Sequence, residues 1–155
     1  MNSPQLPAPS ATAAAASQAL CRIIRTEIQS HRGWIPFSRF MELALYAPQH
    51  GYYTGGSHKI GGSGDFITAP TLSPLFGQTL ARQLAELLPQ TAGNVYEFGA
   101  GTGALAATLL QNLSGSLKHY YIIEVSPELA ERQRAHIAEA APEAAGKVTH
   151  LSSLP

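Results

Sequence analysis

Apolar residues recur at helical spacing through the first third of the chain. Leu20, Ile23, Ile24 and Ile28 share one face, with Arg22, Arg25 and Glu27 opposite, which predicts a helix from near Ser17 that Gly33 stops. Pro36–Tyr46 reads as a second, short helix, with Phe37, Phe40, Met41 and Ala44 as its stripe and Pro48 ending it. A third amphipathic pattern, Phe76, Leu80, Leu84, Leu87 and Leu88, follows Ser73 as N-cap and Pro74 in the first turn. After the turn from Pro89 to Gly93 the rhythm changes. Val95–Phe98, Tyr120–Val125 and Val148–Leu151 are short strand-like runs. Between them, Gly103 or Ala104 through Leu113 reads as one helix, and Pro127 to about Ala140, capped by Ser126, as another. Strands alternating with helices predict a parallel α/β sheet with right-handed crossovers.

Two stretches carry neither period. Residues 1–16 are rich in Pro, Ala and Ser and are expected to be a disordered lead-in. They lack the positive start and Leu/Val-rich core of a secretory signal. Residues 51–64, GYYTGGSHKIGGSG, hold six glycines in fourteen positions, which no packed helix or strand tolerates, so a loop is expected there. The organisation expected is thus a lead-in over 1–16, a helical N-terminal region with a Gly-rich loop over 17–93, and an α/β unit over 94–155.

Composition narrows the function classes. Ten basic and ten acidic side chains cancel, and only 13% of residues are charged, so no global field draws in nucleic acid or an anionic membrane. No run of about 18 apolar residues exists to span a bilayer. The single Cys21 excludes an internal disulfide framework and any multi-Cys zinc site, which fits a reducing, cytoplasmic setting. The six histidines show no metal-ligand spacing, so no metal is expected.

The chemistry concentrates in NVYEFGAGTGAL, residues 94–105. Gly99, Gly101 and Ala104 fit the dinucleotide fingerprint G-x-G-x-x-G/A, while Gly99, Gly101 and Gly103 fit G-x-G-x-G, common in S-adenosylmethionine (SAM)-dependent methyltransferases. Both patterns bring bare backbone against a ligand at a helix N-terminus, where free N–H groups favour an anion. Glu97 helps separate them. It lies in a strand expected to be buried on both faces, where an ionised carboxylate needs a partner. Phosphates near the turn would be repelled by it; the ammonium and sulfonium of SAM would be attracted. A capping or salt-bridged Glu97 is the structural alternative. Glu124, 21 residues past Gly103, stands where an acid binds a ribose diol, and serves either nucleotide.

Four ordered segments, FSRFMELALYAPQHGYY, GSGDFITAPTLSPLFGQTLARQ, VYEFGAGTGALA and YYIIEVSPELAERQR, together resemble the MidA-type SAM-dependent methyltransferases, over about residues 17–155. That family includes the mitochondrial assembly factor for respiratory complex I. The resemblance implies a class I methyltransferase fold, a Rossmann-like doubly wound sheet, present here as its N-terminal part with a helical region and about three parallel strands. It implies SAM as cofactor and, for the mitochondrial members, arginine methylation of a complex I subunit, hence a protein substrate. By position, Glu97, Gly99, Gly101 and Gly103 match the cofactor loop, Glu124 the ribose-binding acid, and Gly64, Asp65 and Phe66 the family's GDF segment near the cofactor pocket. Asp65 is then the candidate catalytic residue, a carboxylate able to orient a guanidinium; a turn-forming aspartate is the other reading.

This sequence departs from the family in two places. The family usually reads TAPE where Thr68-Ala69-Pro70-Thr71 stands. Family members also run on well past Pro155, so only one wall of a crevice between strands one and four is expected, and the chain reads as a fragment. Two other functions stay open beside methyl transfer: an NAD(P)-dependent oxidoreductase, and a non-catalytic assembly or interaction module with a SAM-binding fold.

Overall fold

The alanine run before Ser17 starts the first helix ahead of its apolar stripe. In the computed structural model, which describes residues 8–55, 67–113 and 115–155, α1 spans Ala11–Ser30, and the Ser10 hydroxyl caps it by accepting from the Ala13 N–H at 3.2 Å. Residues 11–16 are therefore helical rather than a disordered lead-in, because alanine has the highest intrinsic helix propensity and a serine stands where the cap is needed. α2 spans Phe37–Tyr46, with Pro36 at its N-cap. Arg39 of α2 pairs with Glu27 of α1 at 2.8 Å and with Glu42 at 2.9 Å.

The chain divides into two compact units, residues 1–56 and 57–155. The sequence pattern put a boundary at 93/94 instead. The helix before the sheet belongs with the sheet because it packs on the helix that follows the first strand.

The second unit begins, within the described residues, with a short helix that periodicity did not show, α3 (Ala69–Leu72). α4 (Pro74–Leu87) follows, its Ser73 cap accepting from the Leu75 N–H at 3.2 Å. Then come β1 (Asn94–Phe98), α5 (Ala104–Leu113), β2 (His119–Ile123), α6 (Pro127–Ala140) and β3 (Val148–Leu151). The three strands are parallel in the order β1-β2-β3, with Val95 opposite Tyr120 and Tyr120 opposite Val148. α5 packs against both α4 and α6. Gly77 makes the α4–α5 approach possible: a Cβ there would lie 2.7 Å from Cγ2 of Thr108.

The core sits between these helices and one face of the sheet. Leu109, Leu110 and Leu113 of α5 meet Tyr120 and Ile122 of β2, Ile137 of α6 and Ala81 of α4. The opposite face of β1 is not covered as the sequence implied. Tyr96 is 44% exposed and Phe98 63% exposed, because α4, α5 and α6 all pack on the Val95 and Glu97 side and no described element of this unit covers the other face. Tyr96 and Tyr121 stack there at 4.7 Å between ring centroids.

Candidate functional site

Parallel strands of one sheet end on the same side, and here that edge gathers the residues singled out by their chemistry. β1 runs into Gly99, whose N–H still bonds the Ile123 carbonyl at 3.0 Å. The chain then turns through Gly99, Gly101 and Gly103, with φ of +60°, +58° and +81°. Side chains other than glycine strain in that region, so the alternation follows from the backbone path. A Cβ on Gly99 would meet nothing within 4 Å, which leaves open space against the turn. α5 begins immediately afterwards, at Ala104, with the free N–H groups of a helix start.

Beside the turn lies a cavity of about 250 Å³, lined by the turn itself, Glu97, Leu105, the α3 N-cap Thr68 and, from α3, Pro70 and Thr71. That is below the roughly 300–1,000 Å³ of a typical ligand pocket. Gly64, Asp65 and Phe66 lie outside the described residues.

Glu97 has found a partner within the protein. The Tyr120 hydroxyl donates to Glu97 Oε2 at 2.8 Å. Register explains the meeting: Val95 and Glu97 share the sheet face of Tyr120 and Ile122. Burial pushes the Glu97 carboxyl above its ordinary value, and the Tyr120 hydrogen bond pulls only part of the way back. Burial also drives the Tyr120 phenol upward, reinforced by the negative Glu97, so it stays a donor. A carboxylate so placed, at the wall of the cavity, gains from a cation in that cavity and would oppose a phosphate.

Glu124 leaves β2 at the same edge. Its Oε1 accepts from the Ser126 N–H at 2.9 Å, its Oε2 from Gln133 Nε2 at 3.1 Å. Each oxygen keeps acceptor capacity, as a ribose diol requires. Glu97 lines the cavity and Glu124 does not.

Thr71 is accounted for by helix capping. Its Oγ1 accepts from the Thr68 N–H at 3.0 Å and donates to the Thr68 carbonyl at 2.8 Å. It occupies the third helical position, where a capping box ordinarily has Glu or Gln doing the first of these jobs. Thr71 here satisfies that position.

Two residues of the site escaped the sequence reading, Tyr120 as partner of Glu97 and Gln133 as partner of Glu124. Gln133 left a signal: it stands in the buried stripe of α6 with Ala130 and Ile137, where an apolar residue would be ordinary. Tyr52 and Tyr53, at the start of the Gly-rich stretch, pack edge-to-face with ring centroids 5.0 Å apart.

Parallel strands, an alternating-glycine turn, an acid within the first strand and another just after the second define part of a class I methyltransferase, Rossmann-like fold. Residues 79–155 match a family profile described as S-adenosyl-L-methionine-dependent methyltransferase. The chain is 31% identical over 135 residues to the Drosophila melanogaster homolog of protein arginine methyltransferase NDUFAF7, mitochondrial, covering 82% of this chain and 30% of that protein. The Homo sapiens protein of that name is 33% identical over 112 residues, covering 65% of this chain and 25% of its own length. A crystal structure from Burkholderia thailandensis, bound to S-adenosyl-homocysteine, is 50% identical with a TM-score of 0.85, covering 97% of this chain and 41% of that one. This chain belongs to the MidA-type family of SAM-dependent methyltransferases. It spans less than half the length of each of these relatives.

The residues present fit SAM. The turn offers an open cradle and helix N–H groups for a carboxylate, Glu97 offers a desolvated acceptor for an ammonium, and Glu124 offers an acceptor pair for ribose hydroxyls. Among the described residues no helix is long and apolar enough to cross a membrane.

Proposed function

We propose that this chain forms the methyl-donor site of a SAM-dependent methyltransferase whose acceptor is a protein side chain, an arginine. The observation that carries this is the run of alternate positive-φ glycines between β1 and α5, flanked by Glu97 before it and Glu124 after β2. Bound there, SAM supplies an electrophilic methyl group on sulfonium. The N–H groups at the start of α5 hold the carboxylate of its methionine end, Glu97 holds the ammonium, and Glu124 takes the ribose hydroxyls. The protein's contribution is alignment and exclusion of water, which for well-oriented reactants is worth on the order of 7–11 kcal/mol.

Asp65 is the proposed group that orients the incoming guanidinium, since a carboxylate matches its paired N–H groups. The names of the fly and human relatives support arginine as the acceptor. A respiratory complex I subunit is the acceptor protein implied by the resemblance, and a reducing, cytoplasmic setting the one implied by the single cysteine.

Calorimetric titration of the intact protein with S-adenosylhomocysteine tests the site. Micromolar-range binding is expected, weakened about tenfold or more by Glu124→Ala through loss of charge-assisted hydrogen bonds. No heat of binding refutes the proposal. Transfer of radiolabelled methyl groups into arginine of lysate proteins tests the acceptor; binding without transfer would favour the non-catalytic module.

A further inference from the structure

Gln133 is fully buried, at 0% exposure, and every hydrogen-bonding group of its amide faces a residue of the strand ends. Nε2 donates to the Gly101 carbonyl at 3.1 Å and to Glu124 Oε2 at 3.1 Å. Two acceptors around that atom determine which way the amide points. Oε1 then accepts from Nε2–H of His150, 3.1 Å away on β3. One side chain thus joins the glycine turn after β1, the carboxylate after β2, and β3. A Cβ on Gly103 would sit in ordinary van der Waals contact with Gln133, 3.5 Å from its Cα, so the φ of +81° rather than crowding calls for glycine there.

Glu124 has one other described tether, the Ser126 N–H on Oε1. Without Gln133 its Oε2 end would be free to swing, and the Gly101 carbonyl and His150 would lose their partners. We infer that Gln133 is a positioning residue for the donor's nucleoside: it holds Glu124 in the rotamer that accepts the ribose hydroxyls and locks that acid to the glycine turn. This rests on the donor-binding reading above. His150 supports Gln133 from behind. Burial, with the positive Arg134 nearby, lowers its pKa, so the ring is neutral and Nε2–H is the tautomer the amide selects.

The test is a cycle between protein and ligand. S-adenosylhomocysteine and its 2′,3′-dideoxy analogue are titrated by calorimetry into the intact wild-type protein, Gln133→Met and His150→Ala, with thermal melts to verify folding. The wild type should prefer the diol-bearing ligand about tenfold or more. In Gln133→Met that preference should shrink to about threefold or less, while affinity for the dideoxy analogue stays within about twofold. His150→Ala, at a half-buried position, should reduce the preference in the same direction and decides the matter alone if Gln133→Met does not fold. A merely structural role would weaken both ligands equally. Wild-type preference retained in the folded variants overturns the inference and leaves donor binding standing; a wild type that binds neither ligand overturns both.

Discussion

The Tyr120 hydroxyl donates to Glu97 Oε2 at 2.8 Å from the neighbouring strand, joining a fully buried phenol to a desolvated carboxylate beside the glycine turn. This bond keeps an acid at the cavity wall without an internal cation. Tyr120→Phe should cost about 1.5–3 kcal/mol in urea unfolding, the range for a hydrogen bond to a charged group, and should weaken S-adenosylhomocysteine binding in calorimetry.

Glu97 makes stability depend on pH in a definite direction. Its folded-state pKa is raised, chiefly by burial, so the native state binds the proton more tightly than the unfolded chain does. The stability it contributes is fully present below the unfolded pKa and is lost as pH rises through the folded one. Glu97→Gln should therefore melt higher than wild type at pH 7.5, with the gap closing towards pH 4, while losing donor affinity. A gap that widens on acidification would contradict the assigned shift.

Gly99 separates backbone strain from crowding. Its φ is +60° and a Cβ there meets nothing, so Gly99→Ala should lose about 1–2 kcal/mol of stability for the left-handed backbone alone. If the turn cradles a ligand, S-adenosylhomocysteine affinity should fall about tenfold in the same variant, still folded at 25 °C.

Gly77 and Thr108 set the spacing of α4 and α5. Alanine at 77 gains helix propensity of about 1 kcal/mol, yet its Cβ would sit 2.7 Å from Thr108 Cγ2. Gly77→Ala should destabilise, and Thr108→Ser, which removes that methyl, should recover part of the loss. Chemical denaturation of the two singles and the double measures the coupling.

Thr71 should behave as a cap. Thr71→Ala loses the acceptor for the Thr68 N–H and should cost about 1 kcal/mol, whereas Thr71→Glu, the family's residue, should be close to neutral. Thermal melts of the two variants decide this; an equal loss in both would contradict the capping role.

Most element positions were legible in residue order because their causes are local. The Ser73-Pro74 and Ser126-Pro127 starts, the apolar stripes of α4 and α5, and the run Val148–Leu151 each act through neighbours a few positions away. The glycine alternation was legible for the same reason: the conformation each glycine permits belongs to that residue alone. The early start of α1 was equally local, in an alanine run that composition had disguised as a linker. What residue order could not contain is who meets whom. Glu97 needed a partner, and parallel register, not spacing along the chain, supplied Tyr120. Glu124 was read from its position alone as the acid for a ribose diol, and only α6 folding back over the turn placed Gln133 against it and against Gly101, 32 residues before Gln133. Whether β1 is covered on both faces likewise depends on its neighbours, because burial belongs to the assembled layers and not to any single strand.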